Sequence, residues 1–307
     1  MRFTKPAYSV SDQLAKLKNR GLSVSDDATA TRVLANVGYY RLAGYAYPFL
    51  VPPSRKRFKA GTPFEQIIGV YDFDRELRAL LIAITERLEI AFRSRLVNAT
   101  CLYWGQPHWF LDSTKFHQRF DHMRFIDQVE RELGISYDRQ TRQRILPSGH
   151  AETFIGHYYT KYGDPYLPPF WMTAELLSFG ALSKLFKGLG DPRLKSQIAS
   201  EFGVPAKVLE KWLHSISNLR NVCAHHSRLW NRVFSIPLPI AHKHQGIVIA
   251  PDKLQGHLVV LIDLLDTFEP GHNLRSDFVT LLTRYPFIDP SAMGFAKGWE
   301  LTPFWKT

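Results

Sequence analysis

The chain has 307 residues, 45% hydrophobic and 22% charged, a balance that suits a soluble globular protein with a substantial core, as one large domain or two modest ones. An excess of 39 Lys and Arg over 28 Asp and Glu gives a net charge of +11, which points to a polyanionic partner such as nucleic acid; the plainer reading is a basic but functionally neutral surface. Only Cys101 and Cys223 occur, with no CxxC pair, which argues against a disulfide framework or a thiolate zinc site and fits a reducing cytoplasm.

The first eight residues lack the apolar core of a signal peptide. The longest apolar runs, such as residues 79–84 and 258–262, are too short to span a bilayer. A cytoplasmic protein, neither exported nor embedded in a membrane, is the expectation.

In chain order, residues 11–22 read as a short helix, with Ser11-Asp-Gln as a cap, Leu14 and Leu17 on one face, and Gly21 as a stop. A second helix follows over 27–37. The aromatic segment 38–50 is a tight packing unit or a base-stacking surface; packing is favoured, because Gly and Pro there fix loop geometry around buried rings. A cavity in it with convergent polar groups would instead suit a small-molecule enzyme. Residues 54–59 place four basic side chains in six positions, as a solvated or a phosphate-contacting loop.

The clearest helix runs over 63–100, its apolar residues recurring at spacings of three and four. Glu86, Glu89 and Arg93 share a stripe on it, as surface ion pairs or with Glu89 as a buried carboxylate orienting an Arg or His of a neighbouring helix. Residues 107–146 look like a charged helical insertion, and interspersed signs favour a solvated helix and loop. Helices are expected over 171–189, 193–202, from Pro205 onward, and over 253–268 and 274–285, and the apolar tail docks onto the body. With no long alternating pattern and no repeat, the fold class is all-α, a bundle with helical insertions and extensions, forming one unit over 1–307.

The densest chemistry lies in residues 215–232, where Arg220, Asn221, His225, His226, Arg228 and Arg232 fall within thirteen positions. At ~100° per residue, Asn221 and His225 share a helical face, whereas Arg220 and His225 stand ~140° apart. They converge only if the helix ends or bends between them, or if a second copy of the chain supplies one group. A metal site lacks its ligand set, since no HExxH or cysteine partner accompanies the histidines. Cys223 beside His225 lacks an identifiable third group, and a small buried thiol is the commoner reading. There is no P-loop and no GxGxxG. What remains is an imidazole able to exchange protons near neutrality and a guanidinium able to hold a phosphate, the groups that metal-free RNA cleavage needs. From spacing alone, a cap or an ion pair with a buried carboxylate accounts for them as readily.

Arg220-Asn-Val-Cys-Ala-His225 matches R-x4-H in its RN-xxx-H form and resembles the HEPN superfamily. The surrounding residues resemble the Abi-like proteins, the abortive-infection proteins of AbiD and AbiF type. So do Gly38-Tyr-Tyr-Arg-Leu-Ala-Gly-Tyr, Tyr71-Asp-Phe-Asp-Arg-Glu-Leu-Arg, Glu86-Arg-Leu-Glu-Ile-Ala-Phe-Arg, Pro169-Phe-Trp, Leu177-Ser-Phe-Gly-Ala-Leu-Ser and Met293-Gly-Phe, in order along the chain. The resemblance implies a HEPN-like bundle with its core near 63–235 and an insertion near 107–150. It also implies phage defence, a homodimer in which two motifs form one cleft, and metal-independent endoribonuclease chemistry that leaves a 2′,3′-cyclic phosphate. On that reading Arg220, Asn221 and His225 are catalytic and no metal or cofactor is needed. His226, Arg228 and Arg232 contact substrate RNA, and Glu89 with Arg93 orients. The alternative is a non-cutting module of the same fold that binds a regulatory RNA or a partner protein.

Overall fold

A computed structural model describes residue 2, residues 6–147 and residues 153–306. The N-terminal segment read for a signal peptide lies in part outside the described residues, as do residues 148–150 of the expected insertion.

The architecture is organised by one helix, α4 (Phe64–Trp104), of 41 residues and therefore ~62 Å long. Ile67, Val70, Phe73, Leu77, Leu81, Ile84, Leu88, Phe92 and Leu96 are buried along it, the three-and-four rhythm that keeps one face in the core. It stops at Gly105, which takes the left-handed conformation at φ 62° that a glycine adopts without a Cβ clash. Before it come α1 (Val10–Asn19), α2 (Asp27–Val37) and α3 (Tyr39–Ala46). After it come α5 (His122–Glu132), a hairpin of β1 (Ser136–Tyr137) and β2 (Arg144–Ile145), and α6 (Phe154–Lys161). Then follow α7 (Phe170–Leu176), α8 (Phe179–Gly188), α9 (Pro192–Ser200), α10 (Ala206–Ala224), α11 (Leu254–Phe268) and α12 (Leu274–Arg284). With twelve α-helices and one short hairpin among the described residues, the fold is all-α. Among the described residues no helix is long and apolar enough to cross a membrane.

Helices α3, α7, α8, α9, α10, α11 and α12 all pack on α4. Phe92 shows how tightly: its ring lies 5.7 Å from that of Phe186 and 5.9 Å from that of Phe202, centroid to centroid. Truncating so large a buried ring costs about 3–5 kcal/mol in comparable cores. Helix α10 contributes Leu209, Trp212, Leu213, Ile216 and Leu219 to the same interior, which fixes the motif-bearing helix before any polar contact is made.

Three local expectations change. The helix expected over 171–189 is broken: Leu177 is extended, and the Ser178 side chain caps α8 by accepting from the Ala181 amide, as serine does at helix starts. The aromatic segment is helical over Tyr39–Ala46, with Gly38 at φ 89° supplying the turn into it. The charged insertion is anchored, because Trp109, Phe110, Phe116 and Phe125 are buried while its arginines stay outside; the apolar stripe Phe125, Val129 on α5 is a core face. The tail docks as expected, through Met293, Phe295 and Trp305.

Candidate functional site

Helix α10 ends at Ala224, and His225 is its cap at φ −86°, ψ 13°. The His226 amide donates to the Cys223 carbonyl and the Ser227 amide to the Val222 carbonyl, both at 2.9 Å, which is the Schellman arrangement of a helix end. Its left-handed position is usually glycine; here it is His226, at φ 55°. An L-residue with a Cβ pays about 1–2 kcal/mol for that conformation. The helix does end just before His225, one of the alternatives that the sequence leaves open, but within one chain that end does not place Arg220 in the cleft that His225 lines.

The end of α10 is held from two directions. Asp74 on α4 is fully buried and accepts from the Leu229 amide at 3.0 Å and the Trp230 amide at 2.6 Å. It also accepts from the Tyr45 hydroxyl at 2.7 Å and pairs with Arg78. Burial pushes the Asp74 carboxyl up against the opposing pull of these donors. Burial, and then the neighbouring Asp74 carboxylate, push the Tyr45 phenol up, so it stays a donor. From the other side α3 closes on the turn: Arg41 Nη1 donates to the His226 carbonyl at 2.6 Å and Arg228 Nη1 to the Gly44 carbonyl.

Between α3 and the turn lies an open cleft of about 340 Å³. His225, His226, Arg228 and Arg232 line it, together with Arg41 and Tyr40. Tyr40 is 94% exposed, unusual for a ring that could pack. Three guanidinium groups on one cleft make it cationic, and none of the three arginines pairs with a carboxylate among the described residues. Arg41 and Tyr40 are the site members that residue chemistry alone missed; the signal was the motif Gly38-Tyr-Tyr-Arg, which marks them by position.

Arg220 lies elsewhere. Its Nε is 3.7 Å from Glu89 Oε2 on α4. Glu89, only 8% exposed, is also bonded to Arg93 at 2.9 Å, and Arg93 reaches on to the Leu177 carbonyl at 3.3 Å and to Glu175. Glu89 therefore joins two arginines from two helices, whereas Glu86 is solvent-exposed. With its side chain 40% exposed, Arg220 gains little from the pair, at most about 1 kcal/mol. Asn221 is exposed on the last turn of α10, its carbonyl accepting from the His225 amide at 2.9 Å.

Two other sequence readings resolve here. Cys223 is buried and its thiol is pushed up to about 12 by that burial, so it is not a thiolate at neutral pH. The hollow beneath the aromatic segment holds about 160 Å³ and is walled mainly by Leu42, Leu50, Phe58 and Phe64. Its one charged side chain, Arg20, is committed to the carbonyls of Arg55 and Lys56. It lacks the convergent polar groups of a small-molecule site.

A helix end that exposes two histidines beside three arginines, in an all-α bundle, is what the geometry defines. The family is equally definite. The family model for Abi-like proteins matches residues 32–231, more than half of the chain, from the middle of α2 through the whole turn after α10. The chain belongs to the Abi-like protein family, and that membership supports a role in abortive infection, the defence of bacteria against phage. No curated protein and no solved structure matches the chain.

Proposed function

We propose that the protein is a metal-independent endoribonuclease of HEPN type that acts in abortive infection. The observation that carries this reading is the cleft at the end of α10, where His225 and His226 stand exposed beside Arg41, Arg228 and Arg232. Arginine forks bind phosphate oxygens bidentately, and imidazole exchanges protons at neutral pH.

In the proposed reaction, the arginines hold the scissile phosphodiester and the charge that builds on it in the transition state. The 2′-hydroxyl loses its proton, its oxygen attacks the adjacent phosphorus, and the 5′-oxygen leaves with a proton. His225 carries one of these two proton transfers. The products are a 2′,3′-cyclic phosphate and a 5′-hydroxyl, with no water consumed. Two chains meeting at the ends of their α10 helices bring Arg220 and Asn221 of each motif to a shared cleft.

A second reading, a module that binds RNA without cutting it, is favoured by one observation: Arg220 is engaged by Glu89 rather than by the cleft. One experiment separates the two. Purified protein is incubated with total RNA in EDTA, and the new 3′ ends are analysed. Cleavage that persists in EDTA, yields cyclic phosphate and disappears in His225→Ala supports the enzyme. Strict dependence on added metal sinks it, and tight binding without cleavage establishes the second reading.

A further inference from the structure

A larger groove lies away from the cleft and shares no lining residue with it. It holds about 1170 Å³ between the segment 114–119 and the start of α9, and it continues into a hollow of about 330 Å³ between α5 and α8 through His117 and Arg119, which line both. Five exposed cations line the two parts: Arg119, Arg124, Lys184, Lys187 and Arg193. None of the five forms a salt bridge among the described residues, although the Arg193 charge helps to hold the Asp191 carboxyl down. The two acidic residues of the lining are otherwise engaged. Asp121 caps α5, and Asp191 caps α9 and accepts from Tyr103 at 2.7 Å.

The groove is built rather than incidental. Its floor is a backbone seam in which the Gly190 amide donates to the Lys115 carbonyl at 2.8 Å and the His117 amide to the Gly188 carbonyl at 3.0 Å. A Cβ on Gly190 would stand 3.0 Å from the Phe116 backbone, and one on Gly188 would stand 2.3 Å from the Phe120 ring. Glycine at both positions lets the two segments close without displacing a neighbour, so the backbone that carries the cations on either side is set before any ligand arrives. Cations spaced along an open groove repel one another, and a polyanion relieves that repulsion while releasing its own counterions.

We propose that this groove is a second RNA-binding surface, one that holds a strand without cutting it. The inference takes from the proposed function only that RNA is the ligand, and it does not require cleavage. Spaced guanidinium and ammonium groups that outnumber the two lining carboxylates suit a sugar–phosphate backbone, which offers anions along its length and needs no base-specific contact.

The test uses the full chain carrying His225→Ala, so that the strand survives, and a labelled single-stranded uridine 20-mer as probe. Charge reversal at three exposed positions, Arg119→Glu, Arg124→Glu and Lys187→Glu, should weaken binding at least ~10-fold. It should also flatten the plot of log affinity against log salt by about 2, near 0.7 for each phosphate that is no longer neutralised. Affinity and slope unchanged in a variant that melts like its parent overturn the proposal. Displacement of the probe by polyglutamate of equal charge as readily as by unlabelled RNA also overturns it, in favour of an acidic protein partner. A readout without substitution is lysine acetylation of the parent chain: RNA should protect Lys184 and Lys187 but not Lys18, and equal labelling with and without RNA counts against the groove. Loss of cleavage in His225→Ala bears on the proposed function alone, so the two can fail separately.

Discussion

Arg41 on α3 and His226, 185 residues later, are joined by a 2.6 Å hydrogen bond from guanidinium to main-chain carbonyl. The bond makes α3 one wall of the cleft and fixes the carbonyl of the residue that occupies the left-handed position. It ties an N-terminal motif to the R-x4-H motif through geometry rather than through sequence proximity.

Breaking this bond should loosen the turn more than the fold. In Arg41→Ala, amide exchange at His226 and Ser227 should accelerate and RNA cleavage should fall at least ~10-fold. Stability should change by no more than about 2 kcal/mol, the usual range for a bond to a charged donor. Arg41→Lys restores the charge but not the planar fork and should recover only part of the activity. Unchanged exchange and unchanged cleavage would show that the wall is dispensable.

His226→Gly should make the protein more stable, by about 0.5–1 kcal/mol, because glycine takes the left-handed cap without the Cβ penalty. It should at the same time weaken RNA binding. A urea titration and a binding isotherm on the same sample read both effects. A loss of stability would show that the imidazole makes a contact worth more than the strain it imposes.

Asp74 holds the two amides that follow the motif, Tyr45 and the Arg78 guanidinium. Asp74→Leu should cost about 3–5 kcal/mol in urea unfolding, since it leaves a buried cation unpaired. Asp74→Leu with Arg78→Met should recover only part of this loss, because the Leu229 and Trp230 amides still lack an acceptor. Full recovery in the double variant would assign the whole cost to the ion pair.

His257 supplies a pH dependence. It is fully buried, sits 3.0 Å from the Ser215 hydroxyl, and burial lowers its pKa from 6.5 to about 4. The unfolded chain therefore binds the proton more tightly than the folded one between these values. The contribution of His257 is complete above pH 6.5 and is lost as pH falls toward 4, amounting to on the order of 3 kcal/mol. Stability curves from pH 7 to 4 should be less steep for His257→Gln than for the parent, and parallel curves would remove His257 as the source.

The helices were legible where local chemistry and packing agree. Asp27–Val37 lies between an Asp26 cap and Gly38, and α4 carries its own apolar rhythm. The break at Leu177 was hidden because residues on both sides keep a helical apolar spacing. Its causes are local and remote together: Ser178 caps the next helix, and Arg93 of α4 takes up the Leu177 carbonyl that the break exposes. Helix α3 was masked by Gly38, Gly44 and Pro48, which read as loop markers although Gly38 starts the helix. For the site, the motif and the end of α10 were legible from Arg220 to His225 and their awkward angle. The Arg41 wall and the Asp74 anchor were not, because each depends on a contact spanning more than 150 residues.

Helix α4 grips the R-x4-H segment twice, through Glu89 at Arg220 and through Asp74 at Leu229 and Trp230. The two carboxylates are fifteen residues apart in the sequence, so they stand ~22 Å apart along the axis and only ~60° apart around it. That register is a measuring rule for the site. One residue inserted or deleted between them would swing Glu89 by ~100° away from Arg220 while Asp74 kept its hold. Side chains on the outer face of this interval are free to vary in kind, but the number of residues in it is not.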